Sequence, residues 1–311
     1  MMVKEHDIIR IFRQKFGINS AWDDVERIQI NNTNLAINID TLAYNTDVPP
    51  SMSLREAARK SMIACASDFA AKGIKPLWAL ISISMPLTYH TLDFEEIAGG
   101  LADASTELGC SIVGGDTKQS TEMSITVCLV GRGRQKPYRH GAQIHDAVFV
   151  SGPFGTSAAG LHMLLNSING SDEYIRSVLH PTVRLEFGAK IADYINASMD
   201  SSDGLSTTLN EISAQSGISI IVTHEPIADN IEEFARKNNL NMDDLLYNGG
   251  EEYEIVFTAA SKYIPKICSI ASETDTPLIQ IGFVEEGSGV FVKKDGQSYK
   301  IHDKGWQSFK S

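Results

Sequence analysis

Apolar residues along this chain recur at two periods, and the switches between them predict alternating helices and strands. Ile8, Ile9, Ile11, Phe12 and Phe16 fall at near-helical spacing over 6–16, with Gly17 as the stop. Leu35, Ile37 and Ile39 alternate with smaller or polar residues, which predicts a half-buried strand ending at Asp40-Thr41. Pro49-Pro50 enforces an extended exit, and Ser53 with Glu56 three residues on is a capping-box signal for a helix running toward Lys72. Within 63–73 of that helix, Asp68 is the sole acid among small and apolar residues. If buried, it needs a hydrogen bond, a paired charge or a metal.

The alternation continues with a strand over 77–85, a helix over 92–108 and a short apolar strand before Gly114-Gly115-Asp116-Thr117, where glycines permit close backbone approach. A strand over 123–130 follows. Basic and turn residues cluster over 132–146, and the strand 147–150 then leads into the glycine-bearing turn Ser151-Gly152-Pro153-Phe154-Gly155-Thr156. No Gly-Lys-Ser/Thr follows those glycines, so there is no Walker A loop, and a tight turn and a nucleotide contact stay equally open. Beyond a helix containing Leu185, Ala189 and Ile191 comes Ser198-Met199-Asp200-Ser201-Ser202-Asp203-Gly204-Leu205. A helix to about 215, a strand over 218–222 and a helix over 231–238 precede Gly249-Gly250-Glu251-Glu252; two strands, 278–283 and 290–293, close the fold before a tail with Trp306 and Phe309.

A length of 311 residues favours two domains, divided into 1–146 and 147–311, and the order of elements makes both α/β. No apolar run approaches the roughly 20 residues a bilayer span needs, so no membrane partner is expected. The N-terminus has no signal-peptide pattern, and the expected compartment is the cytoplasm. A formal net charge of -12 repels a phosphate backbone and argues against nucleic acid. The same acidity suits nucleotides held through Mg²⁺. Cys65, Cys110, Cys128 and Cys268 form no C-x-x-C pair, which excludes a zinc or dithiol motif.

The segment Asp200 to Asp203 places two carboxylates and two hydroxyls in four residues. Alone, it reads either as a hard-cation site or as a helix N-cap made by Ser202 or Asp203. Asp23, Asp24, Asp40, Asp68 and Asp116 share its context, at a turn or interrupting an apolar element. If they converge, their charge requires several cations, as Mg-nucleotide chemistry supplies. No Ser-His-Asp arrangement or cysteine nucleophile motif is recognisable, and phosphoryl transfer to an anionic acceptor needs neither.

In order and spacing, Asp23-Asp24, Asp40-Thr41, Ser67-Asp68-Phe69-Ala70-Ala71-Lys72-Gly73, Gly114-Gly115-Asp116-Thr117, Asp200-Ser201-Ser202-Asp203-Gly204-Leu205 and Gly249-Gly250-Glu251-Glu252-Tyr253-Glu254 resemble the thiamine-monophosphate kinase family. That family belongs to the superfamily of aminoimidazole ribonucleotide synthetase, and Thr46-Asp47-Val48-Pro49-Pro50 resembles its archaeal type. The resemblance implies an N-terminal mixed sheet with helices that pairs with a second subunit, a C-terminal α/β sandwich, and a homodimer. It implies transfer of the ATP γ-phosphoryl group to thiamine monophosphate. By position it assigns Asp24, Asp40, Asp68, Asp116, Asp200 and Asp203 to several Mg²⁺ ions, and Gly115, Asp116, Arg139 and Ser202 to ATP. Asp47, Glu251 and Trp306 fall at substrate positions, with Trp306 where the family has an aromatic residue against the thiamine ring.

The sequence departs from the family pattern at four places. Trp22 replaces a glycine, Asn38 and Ile39 replace hydroxyl residues, Asp47 replaces a histidine, and Ile144-His145-Asp146 replaces Pro-Gly-Asp. The alternatives are another ATP-dependent synthetase or dehydratase of the superfamily, or a non-catalytic nucleotide-binding regulator. Neither the N-terminal cysteine of selenophosphate synthetase nor the C-terminal cysteine of the hydrogenase factor is found.

Overall fold

The computed structural model describes residues 5–134 and 136–307, so Phe309 lies outside the described residues. A first sheet is built from β1 (Glu26–Ile30), β2 (Thr33–Ala43), β3 (Pro76–Met85), β4 (Ser111–Gln119) and β5 (Ser124–Arg132), in the order β1-β2-β5-β3-β4. All neighbours are antiparallel except β3 and β4, which a helix connects in parallel. Of the first four helices, α1 (Glu5–Phe16), α2 (Tyr44–Asp47), α3 (Leu54–Ala71) and α4 (Thr91–Leu108), only α3 and α4 carry the large buried cluster that closes one face of this sheet. The predicted capping box starts α3: Ser53 Oγ accepts from Glu56 N at 3.2 Å, and Glu56 Oε2 accepts from Ser53 N at 2.8 Å.

The opposite face of the first sheet is open. Strand register aligns Ile37, Val130 and Trp78 in one row, Ile39, Cys128 and Leu80 in the next, and Thr41, Thr126, Ser82 and Asp116 in a third. Ile39 is 69% exposed, Trp78 46% and Leu80 43%, which makes this a continuous apolar surface. The covered face alternates with it, and there the buried Asn38 stands in a row with Leu129, while Asp40, in register with Val127, lies exposed.

The second sheet comprises β6 (Ala147–Val150), β7 (Ala197–Asp200), β8 (Ser219–Val222), β9 (Ile255–Ala259), β10 (Ile279–Glu285), β11 (Gly289–Lys294) and β12 (Gln297–Ile301), ordered β12-β11-β8-β10-β6-β9-β7. Around it run α5 (Thr156–Asn166), α6 (Asp172–Leu179), α7 (Leu185–Ile191), α8 (Leu205–Ser216), α9 (Ile231–Asn238), α10 (Met242–Leu246) and α11 (Ile264–Glu273). Both faces are covered: α8 packs on one, and α7 and α11 pack on the other. Ala70 and Ala71 at the end of α3 belong to that latter core, so α3 crosses from the first layer system into the second.

Two expectations from sequence change, and some elements carry no prediction. Two strands do not close the fold, because β12 follows β11 through a turn with Asp295 at φ +51° and Gly296 at φ +74°. A short outer strand, β1, and the helix α6 also carry no prediction. The N-cap position of α8 falls on Gly204, which has no side chain to cap with, so the cap reading of Ser202 and Asp203 gives way.

Candidate functional site

Three separate elements bring Asp24, Asp68 and Asp200 together. Asp24 lies in the loop before β1, Asp68 on the last turns of α3, and Asp200 at the end of the buried edge strand β7. Ligand atoms of the three carboxylates lie within 4.8 Å of one another. Burial raises the Asp68 carboxyl well above the ordinary carboxylate range, and the charges of Asp200 and Asp24 raise it further. Burial and the Asp24 charge raise Asp200 to about 6, against a Ser67 hydroxyl that donates to its Oδ2 at 2.5 Å. Oxygen ligands held this close, two of them on carboxyls raised by burial and by neighbouring carboxylate charge, fit a hard divalent cation.

The surrounding groups aim these acids. Asn38, one of the residues that departs from the family pattern, donates to Asp68 Oδ2 at 2.9 Å and to the Cys65 carbonyl at 2.7 Å. Its amide therefore orients Asp68. Lys72 is fully buried and reaches Asp23 Oδ1 and Asp24 Oδ2, each at 2.8 Å, while also donating to the Ser198 carbonyl at 2.5 Å. Arg139 donates through Nε to Asp24 Oδ1 at 2.5 Å, and its guanidinium lies 5.2 Å from the centre of the Trp22 ring. Trp22 thus stacks on a cation beside the acids. Burial opposes ionisation of Asp23, and Lys72 and Arg27 outweigh it, holding that carboxyl below its ordinary range.

A second group of residues forms the mouth. The turn after β7 is sewn to the loop before β9, with Glu251 N donating to the Ser202 carbonyl at 2.7 Å and Tyr253 N to the Ser201 carbonyl at 3.0 Å. Trp306 N donates to the Asp203 carbonyl at 2.9 Å, which ties in the C-terminal tail. Ser202, Asp203, Glu251 and Trp306, separated by a hundred residues of sequence, are therefore neighbours. Gly204 at φ +107° makes this possible, since a Cβ there would come within 2.9 Å of the Tyr247 carbonyl. Trp306 is 56% exposed, its ring open to a ligand.

On the first sheet, desolvation raises the Asp40 carboxyl, and the charges of Asp47 and Glu251 add to it. Asp47 turns its own carboxylate inward, where Oδ2 accepts from Ala43 N at 2.7 Å. Gly115 lies so close to β3 that a Cβ would meet the Ile81 carbonyl at 1.8 Å. Asp116 is the outlier: it lies three strands from Asp40, about 14 Å at ordinary strand spacing, and on the open face. Within one chain it does not join the three clustered acids.

Sequence reasoning missed Lys60 and Lys72. Lys60 lies on the buried side of α3 next to Arg59, and Lys72 caps the C-terminal end of that helix; in sequence each reads equally as a side chain snorkelling to solvent.

Comparison with known proteins bears on this geometry. Residues 22–133 match the model of the family described as AIR synthase related protein, N-terminal domain. The chain is 43% identical over 310 residues to the thiamine-monophosphate kinase of Nitrosopumilus maritimus, with 98% of each chain covered. It is 30% identical over 308 residues to that of Pyrococcus horikoshii, covering 99% of this chain and 97% of the other. The solved structure of AaThiL complexed with AMPPCP and TMP superposes with a TM-score of 0.86 at 31% identity, covering 98% of this chain and 97% of that one.

Proposed function

This chain belongs to the thiamine-monophosphate kinase family, and on that footing we propose that it transfers the γ-phosphoryl group of ATP to thiamine monophosphate, giving thiamine diphosphate and ADP. The observation that carries the proposal is the convergence of Asp24, Asp68 and Asp200 from three elements onto one point. The acceptor oxygen is already anionic, so the residues have no proton to remove; their work is charge placement and in-line positioning.

In this reading Asp24, Asp40, Asp68, Asp116, Asp200 and Asp203 hold several Mg²⁺ ions. The metal, when bound, neutralises the phosphates and the charge that develops during transfer. Asn38 and Ser67 fix the directions of Asp68 and Asp200. Arg139, Gly115 and Ser202 contact ATP, with Arg139 kept in place by Asp24 and Trp22. Glu251 and the Trp306 ring receive the cationic thiamine. Asp47 shapes this end of the site through its turn, because its carboxylate is already engaged. Residues 1–146 and 147–311 act as the two walls, and a cytoplasmic location is consistent with ATP as co-substrate and with the lack, among the described residues, of a helix long and apolar enough to cross a membrane.

We also propose a homodimer formed through the open face of the first sheet. The exposed Ile39, Trp78 and Leu80 support it, as does the position of Asp116 on the same face. An Asp116 too far from Asp40 in its own chain supports a role for it in the site of a partner.

Incubating the purified chain with Mg²⁺, ATP and thiamine monophosphate tests the reaction. Chromatography should recover thiamine diphosphate and ADP in equal amounts. ADP without thiamine diphosphate would point to another acceptor, and bound nucleotide without turnover to a regulator.

A further inference from the structure

Lys60 and Lys72 are the two lysines buried among the described residues, and only Lys72 is accounted for by the clustered acids. The Lys60 side chain is 2% exposed; its Nζ donates to the Asp47 carbonyl at 2.8 Å and lies 2.5 Å from Glu251 Oε1. Lys60 comes from α3 in the first layer system, and Glu251 from a loop of the second. Their ion pair therefore links the two layer systems. The pair also stands beside Asp40, whose carboxyl feels the charge of Glu251.

A buried ammonium is stable only while it keeps an anion. Glu251 is the carboxylate that the proposed site turns toward the cationic thiazolium ring, and a ligand that brings only a cation would draw Glu251 away and strand Lys60. A ligand bearing both a fixed cation and a phosphate satisfies both halves. We propose that Lys60 is a specificity-determining residue: as the thiazolium takes over the Glu251 carboxylate, the Lys60 ammonium passes from Glu251 to the phosphate of the acceptor. One internal ion pair is exchanged for two pairs with a zwitterion, and the site selects thiamine monophosphate over thiamine. The side chain has the means for this, since an ammonium on four methylenes re-aims its three N–H donors while the Asp47 carbonyl holds one of them.

This inference rests on thiamine monophosphate as acceptor, and binding measurements separate the two. With the full chain and Mg²⁺, calorimetry should show wild-type protein holding thiamine monophosphate much more tightly than thiamine. Lys60→Gln should weaken thiamine monophosphate by about thirty-fold, the scale of a lost charge-assisted contact, and leave thiamine unchanged or tighter. Lys60→Arg should retain most of the preference. A structural role would weaken both ligands together, so an unchanged ratio of the two affinities overturns the exchange while leaving the acceptor assignment intact. Wild-type protein that binds neither ligand overturns both. If Lys60→Gln alone does not fold, Lys60→Gln combined with Glu251→Gln replaces the buried pair by two neutral amides. The phosphate then meets no ammonium, so the preference for thiamine monophosphate over thiamine must fall; an unchanged preference contradicts the exchange.

Discussion

At the residue scale, the site is a set of charges that destabilise the chain unless something offsets them. Asp68 and Asp200 face each other and Asp24 with carboxyls raised by burial and mutual repulsion. Asp200→Asn should therefore abolish turnover and yet stabilise the metal-free protein, by about 1–3 kcal/mol, measured by urea unfolding in a chelator. A loss of stability there would mean that Asp200 is well compensated without a cation. Lys72 has the opposite sign. Removing it leaves Asp23 and Asp24 buried without one of their counter-ions, and Lys72→Met should cost roughly 3 kcal/mol in the same unfolding experiment. The acids were legible in the sequence because a carboxylate amid Ala, Cys and Phe is anomalous. The lysines were not, because a lysine's burial depends on what the rest of the fold places over it.

At the scale of elements, α3 organises the molecule. Its first turn is fixed by Ser53 and Glu56, its middle carries Lys60, and its last turns carry Ser67, Asp68 and, at the cap, Lys72. The end of α3 lies against α7 with no room to spare, since a Cβ on Gly188 would meet the Ala70 carbonyl at 2.0 Å. Gly188→Ala should push the two apart, destabilising the chain by about 1–3 kcal/mol and slowing turnover through displacement of Asp68, although residue 188 touches none of the acids. Unaltered melting and turnover would show that the contact yields without consequence. The capping box and helical spacing made α3 readable. The strand β12 was missed because Gln297 to Lys300 carry no apolar alternation, although Asp295-Gly296 held a hairpin signal. The strand β1 was missed because its Ile28 and Ile30 lie exposed, which gives a short outer strand no core pattern to read.

At the scale of the whole molecule, charge couples stability to pH and to metal. Asp68, Asp200 and Glu252 all have folded-state values above their unfolded ones, Asp200 at about 6 and Glu252 at about 7, in each case through burial first. A carboxyl with a raised folded value favours the folded state while it is protonated and loses that advantage as pH rises from its unfolded value through the folded one. The metal-free chain should accordingly melt lower at pH 8 than at pH 5, and Mg²⁺ should recover the part due to Asp68 and Asp200 but not that due to Glu252, whose carboxylate is bound by Gly155 N and Ser157 N at the start of α5. A metal-free melting temperature that rises across this interval would refute the sign. The two-sheet arrangement followed from the alternation of elements. The distance of Asp116 from the other acids did not, because strand order is fixed by long-range pairing that local pattern does not encode.

In the proposed dimer, acids from two layer systems, and from two chains, build one phosphoryl-transfer site. Co-expressing differently tagged Asp116→Asn and Asp200→Asn chains tests it, each variant alone being inactive. If Asp116 serves the partner, each mixed dimer has one site with both acids intact, and unfractionated protein should form thiamine diphosphate at about a quarter of the wild-type rate. If the purified mixed dimer is as inactive as its parents, Asp116 and Asp200 act within one chain or not at all, and the composite site is wrong.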